Sequence, residues 1–164
     1  MTATPLPPRV WQLDELLAAL APLRAARKTI VFTNGVFDLP HPGHVHSLRA
    51  ARAHGDVLVV GVNSDDSVRR GKGPDRPVIS EGERAKILAS FEMVDFVTIF
   101  REDTPLEIVK AIQPDVIAKG ADYRGREVVG SEVVLARGGR VEYLPIYEGI
   151  SSTAIVDRIV QAHK

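Results

Sequence analysis

Two periods of apolar and polar positions alternate along this chain, and their alternation predicts an α/β fold. The run Thr29-Ile30-Val31-Phe32 is short, apolar and β-branched, the pattern of a buried strand. Residues 56–63 (DVLVVGVN) form a nearly continuous apolar run, expected of a strand covered on both faces. Further strands are predicted at 94–100, 116–119 and 140–144. Between them the period lengthens to that of a helix. One helix begins after Gly43, with Val45, Leu48 and Ala51 on one stripe. A second spans 80–91, opened by a capping box of Ser80 and Glu83. A third covers 104–112, with Thr104 as N-cap and Pro105 at the first helical position. Short and closing helices follow at 131–136 and 152–163. Strands separated by helices give a parallel, doubly wound, five-stranded sheet in a domain of residues 29–164.

Residues 1–28 read as an appendage to that domain. Pro5, Pro7 and Pro8 predict an extended arm over 1–9. Residues 11–27 carry a helical stripe at 13, 16, 17, 20 and 23, with Pro22 expected to kink or shorten it. This extra N-terminal helix is expected outside the sheet or against a partner subunit, with Trp11 as a packing residue.

In a doubly wound sheet, ligands sit beyond the carboxyl ends of the strands, so the loops there are read for chemistry. The first is the most informative. It runs through Asn34-Gly35 and Val36-Phe37-Asp38 to His41-Pro42-Gly43-His44, where a helix begins. Strand, glycine-bearing loop and helix start together aim backbone N–H groups and a positive dipole end at one point, the layout of a phosphate site. Gly43 lets an anion approach the backbone, and His41 and His44 are placed to donate to the same phosphoryl oxygens. Asp38 and Asn34 suit capping of the loop. Metal ligation by the two histidines lacks a third and fourth ligand, and the chain has no cysteine.

Three other rim loops carry polar chemistry. Asn63-Ser64-Asp65-Asp66 leads into Arg69, Arg70, Lys72 and Arg76, with Lys72 between Gly71 and Gly73. A lysine on a mobile, glycine-flanked loop can close over β- and γ-phosphates. Lys119-Gly120 and Asp122-Tyr123 follow the fourth strand. Gly149-Ile150-Ser151-Ser152-Thr153 opens the last helix with three hydroxyls where one N-cap needs one, a second anion site. Arg84, early in a helix where a cation opposes the dipole, suits an anion contact.

Composition narrows the class. The chain of 164 residues is 45% apolar and 26% charged with zero net charge, that of an ordinary globular domain. It has no electrostatic footprint for nucleic acid or an anionic membrane. No apolar run approaches the length of a membrane span and no signal-peptide pattern is read, so a cytoplasmic location is expected.

The segment Phe37-Asp38-Leu39-Pro40-His41-Pro42-Gly43-His44 resembles the HxGH signature of the nucleotidyltransferase superfamily, which binds nucleoside triphosphates on a Rossmann-like sheet. Together with Gly149-Ile150-Ser151-Ser152-Thr153 it resembles the cytidylyltransferase-like group. Within that group, TNGVFDLPHPGH, VNSDDSVRRGKGPDRPV, EDTP, KGADY, VVGSEVV and SST run in the order of the D-glycero-β-D-manno-heptose 1-phosphate adenylyltransferases. The departures are Pro40 before the first histidine, Val156 after the SST segment, and the lack of an arginine before Gly149 that glycerol 3-phosphate enzymes carry.

The resemblance implies attack of a sugar 1-phosphate oxygen on the α-phosphorus of ATP, with loss of pyrophosphate. No general base is needed, because the acceptor phosphate is already ionised. It implies catalytic roles for His41, His44 and Lys72. It implies nucleotide binding by Asn34, Gly35, Val36, Phe37, Asp38, Gly43, Lys119, Gly120, Asp122 and the 149–153 segment. Acceptor binding falls to Asn63, Asp65, Arg76, Arg84 and Tyr123. Mg²⁺ is expected with ATP, held by phosphates and water rather than by side chains. A homodimer and a stand-alone form without a sugar kinase are also expected. Three other readings stay open: a relative using CTP or an alcohol phosphate, a fragment of a class I aminoacyl-tRNA synthetase, and a nucleotide-sensing module without turnover.

Overall fold

The structure is a computed structural model that describes residues 10–163. The predicted N-terminal arm lies outside the described residues. The element order is β1 (Val10–Trp11), α1 (Leu13–Ala25), β2 (Ile30–Gly35), α2 (Pro42–Arg52), β3 (Val57–Asn63), α3 (Asp65–Lys72), α4 (Glu81–Ala89), β4 (Phe96–Phe100), α5 (Leu106–Ile112), β5 (Val116–Gly120), α6 (Ser131–Leu135), β6 (Arg140–Leu144) and α7 (Ser152–Ala162). A single turn of 3₁₀ helix, Ala121–Tyr123, follows β5.

Six strands form one sheet in the order β1-β4-β3-β2-β5-β6, with every pair parallel. The fold is therefore α/β, Rossmann-like and doubly wound. The sixth strand is the addition to the predicted five. Val10 and Trp11 pair with Val97 and Thr98, and Trp11 packs edge-on to Phe96 at 5.2 Å. Two residues are too few to show a period, and Trp11 reads equally well as the start of the helix that follows.

The central strands are apolar on both faces because both faces are covered. Val31, Leu58, Val60 and Val62 point into one core, closed by Leu48 of α2 and Leu88 of α4. Ile30, Phe32, Val57 and Val59 point into the other, closed by Leu16 and Leu20 of α1 and Ile108, Val109 and Ile112 of α5. Each fully buried side chain of this kind contributes roughly 1.5–3 kcal/mol. The apolar face of α1 is thus spent on the sheet, and Pro22 sits inside the helix without ending it before Ala25.

Aspartates fix the amino ends of the strands. The carboxylates of Asp56, Asp95 and Asp115 accept the N–H groups of Thr29, Leu58 and Ile30, each at 2.8 Å. The structure departs from the expected elements at the rim. Residues 65–72 fold as α3 with Ser64 as N-cap, so Lys72 ends a helix and does not ride on a free loop. Pro105 and not Thr104 takes the N-cap position of α5. Among the described residues, no helix is long and apolar enough to cross a membrane.

Candidate active site

The strand order reverses at β2, whose neighbours β3 and β5 lead away in opposite directions. Loops leaving these strands part there and open a crevice. A cleft of about 690 Å³ lies at that place, lined by Asn34 to Asp38 and by His44, Asn63, Lys72, Lys119, Asp122, Tyr123 and Ser152. A second pocket of about 350 Å³ adjoins it, sharing His44, Lys72 and Ser152 and adding His41, Arg76, Ser151 and Thr153.

The histidines are fixed by the helix they introduce. His41 is the N-cap of α2, and its Nδ1 accepts the Gly43 N–H at 3.1 Å. His44 reaches back one turn, and its Nδ1 accepts the His41 N–H at 3.3 Å. The two imidazoles form a capping box and stack at 3.8 Å. An Nδ1 that accepts must be unprotonated, so the proton of each neutral ring sits on Nε2, which is left to donate to a ligand. Burial lowers the pKa of both rings. For His44 burial, the neighbouring His41 and Lys72 bring it down to about 4 against the pull of Asp38. Gly43 has a further reason to be glycine: a Cβ there would lie 2.9–3.0 Å from the His41 ring.

Asp38 ties three phosphate-side segments together. It is 4% exposed, and its carboxylate accepts the N–H groups of Val78 at 2.9 Å and Ile79 at 3.1 Å and the Arg76 guanidinium at 2.8 Å. Its own carbonyl accepts the Ser152 hydroxyl. Burial opposes its ionisation, but the two backbone donors and Arg76 outweigh that and hold the carboxyl below the usual range. The flanking Phe37 and Leu39 have φ of 52° and 47°, a strained backbone at the site. At α7, Ser151 is the N-cap, with its Oγ accepting from Ala154 N at 3.1 Å, and Thr153 accepts from Arg76 at 3.4 Å. Gly149 (φ 87°) makes the turn before them, and Ile150 lies beside Gly43.

Across the switch point, Lys119 Nζ donates to Asn34 Oδ1 at 2.5 Å. Burial lowers the lysine pKa to about 8, with Asp122 acting against it. Lys119 also sits 5.3 Å from the centre of the Tyr123 ring. Gly120 leaves room for the Asp122 carboxylate, which a Cβ would meet at 2.4 Å.

Several expected contacts fall elsewhere. Arg84 is not an anion contact: it is 0% exposed, and it donates to the carbonyls of Ile79, Val36 and Asn63 and to Asp65 at 2.7 Å. It joins the carboxyl ends of β2 and β3 beneath the cleft. Asp65, its partner, is likewise engaged there and lines neither pocket. Arg76 sits in the histidine pocket and does not line the larger cleft. The structure also adds lining residues that sequence reasoning missed: Asp103, Thr104 and Pro105 after β4, and Glu127 and Val129. The signal for the first three was present, because the EDTP segment follows a strand at the same rim.

The layout is a small cationic recess at the two histidines opening into a larger cleft along the switch point. The chain belongs to the cytidylyltransferase-like family, whose pattern matches residues 32–158. It is 52% identical over 151 residues to the bifunctional protein HldE of Geotalea uraniireducens, and 46% identical over 156 residues to that of Helicobacter pylori. These matches cover 92% and 95% of this chain but only 31% and 32% of the relatives, so the chain spans about a third of their length. Among solved structures, the lipopolysaccharide core biosynthesis protein from Thermoplasma volcanium is similar, with a TM-score of 0.61 and 29% identity. The match covers 75% of this chain and 99% of that one.

Proposed function

We propose that this domain transfers AMP from ATP to D-glycero-β-D-manno-heptose 1-phosphate, giving ADP-heptose and pyrophosphate. The observation that carries the reading is the pair of capped imidazoles, whose Nε2–H groups are left to face a pocket that opens into the nucleotide-sized cleft. The sugar identity rests on the HldE relatives, which match this chain over nearly all its length.

In this reading an oxygen of the sugar phosphate forms a bond to the α-phosphorus, and the bond from that phosphorus to the bridging oxygen breaks. Pyrophosphate leaves with the electron pair. His41 and His44 donate to the phosphoryl oxygens as charge grows on them, and Lys72 and Arg76 hold the leaving group. Ser151 and Thr153 line its pocket. Lys119 and Asn34 fix the floor at the switch point, and Asn63 and Tyr123 stand where the larger cleft leaves room for base or sugar. Catalysis is positioning and charge stabilisation, with no proton removed from the acceptor.

Mg²⁺ accompanies the triphosphate and offsets its charge. In this reading the ion is carried by the phosphates and by water. The protein acts in the cytoplasm as a homodimer.

The test is pyrophosphate release with Mg²⁺, crossing ATP, CTP and GTP with heptose 1-phosphate, glycerol 3-phosphate and no acceptor. Release with ATP and heptose 1-phosphate alone is the expected result. Release with another pair overturns the substrate assignment, and no release from a sample that binds ATP overturns the activity.

A further inference from the structure

A second cationic pocket lies at the opposite end of the sheet. Arg24, Arg27, Lys28 and Arg137 surround a cavity of about 330 Å³ together with Thr29 and Asp115. Its size is close to the 350 Å³ of the histidine pocket. Thr29 precedes β2 and Asp115 precedes β5, so the cavity sits at the amino ends of the two strands whose carboxyl ends carry Asn34 and Lys119. Six residues of strand, roughly 20 Å, separate the two sites.

Helix ends explain part of this charge. Arg24 donates to the carbonyls of Ile112 and Gln113 at the end of α5, an ordinary answer to a helix C-terminus. Lys28 lies 3.7 Å from Asp56. The rest is unexplained by structure alone. Among the described residues, Arg27 and Arg137 have no carboxylate partner, and Asp115 already accepts the N–H of Ile30. Burial lowers the Arg24 pKa; Asp115 acts against this and Arg137 adds to it, so two guanidinium groups oppose each other across the cavity.

Backbone geometry points the same way. Arg27 stands just past the end of α1 at φ 56°, where glycine is the usual residue. Its N–H bonds to Arg24 O and that of Lys28 to Leu23 O, the pattern of a helix C-cap. A long cation therefore occupies a position whose conformation favours no side chain. In a chain of zero net charge, four cations gathered on one concavity are a local arrangement and not a global excess.

We propose that the cavity of Arg24, Arg27, Lys28 and Arg137 binds a small phosphate anion, separate from the cleft at the carboxyl ends of the strands. Its concavity favours a compact anion over an acidic protein face, and guanidinium groups suit phosphate oxygens through paired N–H donors. Inorganic phosphate and pyrophosphate share this chemistry.

The experiment is an amide NMR titration of the whole protein with inorganic phosphate and, separately, pyrophosphate, at ionic strength held constant with NaCl. The amides of Arg27, Lys28 and Gly138 report this cavity, and those of Gly43 and His44 report the histidine pocket. Saturable shifts in the first set with either anion support the site, and the lower midpoint identifies the preferred one. The variant Arg27→Gly/Arg137→Gln keeps the α1 cap, because glycine favours that backbone, and a thermal melt checks its fold. It should weaken the first set by about tenfold or more while leaving the second unchanged. First-set shifts that follow NaCl alone, or that persist unaltered in the variant, overturn the proposal.

Discussion

Lys119 Nζ and Asn34 Oδ1 meet at 2.5 Å across the gap between the carboxyl ends of β5 and β2, the point where strand order reverses. Lys119 is 9% exposed, and burial lowers its pKa while the nearby Asp122 carboxylate acts against that. The pair therefore places one buried cation at the floor of the larger cleft.

The lysine charge should govern the alkaline limb of activity. With its pKa lowered to about 8, Lys119 is charged below that pH and neutral above it. In the free enzyme, kcat/KM should fall as pH rises through about 8. Lys119→Met should remove this limb and lower kcat/KM by about 10²-fold, the scale of losing one charge-stabilising donor. A pH profile of both proteins checks this, and an unchanged limb in the variant would assign it to another group.

Capping and donation by the histidines can be separated. Asparagine is a good N-cap, so His41→Asn should still accept the Gly43 N–H and leave stability within about 0.5 kcal/mol. It has no Nε2–H and should lose turnover. His44→Ala should cost about 10²-fold or more in kcat. Denaturant midpoints beside single-turnover rates distinguish the two effects.

Acid should destabilise the fold through His44. Its pKa is about 4 in the folded protein against 6.5 for a free imidazole. Between those values the unfolded chain binds the proton and the folded one does not, so stability falls as pH drops from about 6.5 to about 4. Below that range Asp38 adds a loss of its own as its carboxylate is protonated. His44→Gln should flatten the upper part of the curve in urea unfolding measured across this range.

Asp38 and Arg84 should behave as supports with different reach. Asp38→Ala leaves Arg76 and two backbone N–H groups without their acceptor and should cost about 3 kcal/mol. It also frees Arg76, so KM for the triphosphate should rise together with the loss of stability. Arg84→Met strands Asp65 and three carbonyls beneath the cleft and should cost at least as much. Arg84→Met at low temperature, where it remains folded, should keep a near-normal KM if the side chain has no contact with substrate. Steady-state kinetics on folded samples checks both.

The sequence by itself determined the period of each element, the apolar runs of β2 and β3, the capping box at Ser80 and the glycine-bearing loop with His41 and His44. These are local properties, because propensity, caps and turn chemistry act over a few residues. Strand order, and with it the meeting of Asn34 and Lys119, came only from the tertiary structure. So did the fate of the cations. Arg76, Arg84 and Lys72 all read as basic residues in or near one polar stretch, yet one is salt-bridged to Asp38, one is wholly buried and one ends a helix. Which of these a side chain becomes depends on carbonyls and carboxylates brought to it from 19 to 48 residues away, and no local pattern encodes that distance. The strand Val10–Trp11 escaped for the same reason: two residues become a strand only when β4 supplies the edge they pair with.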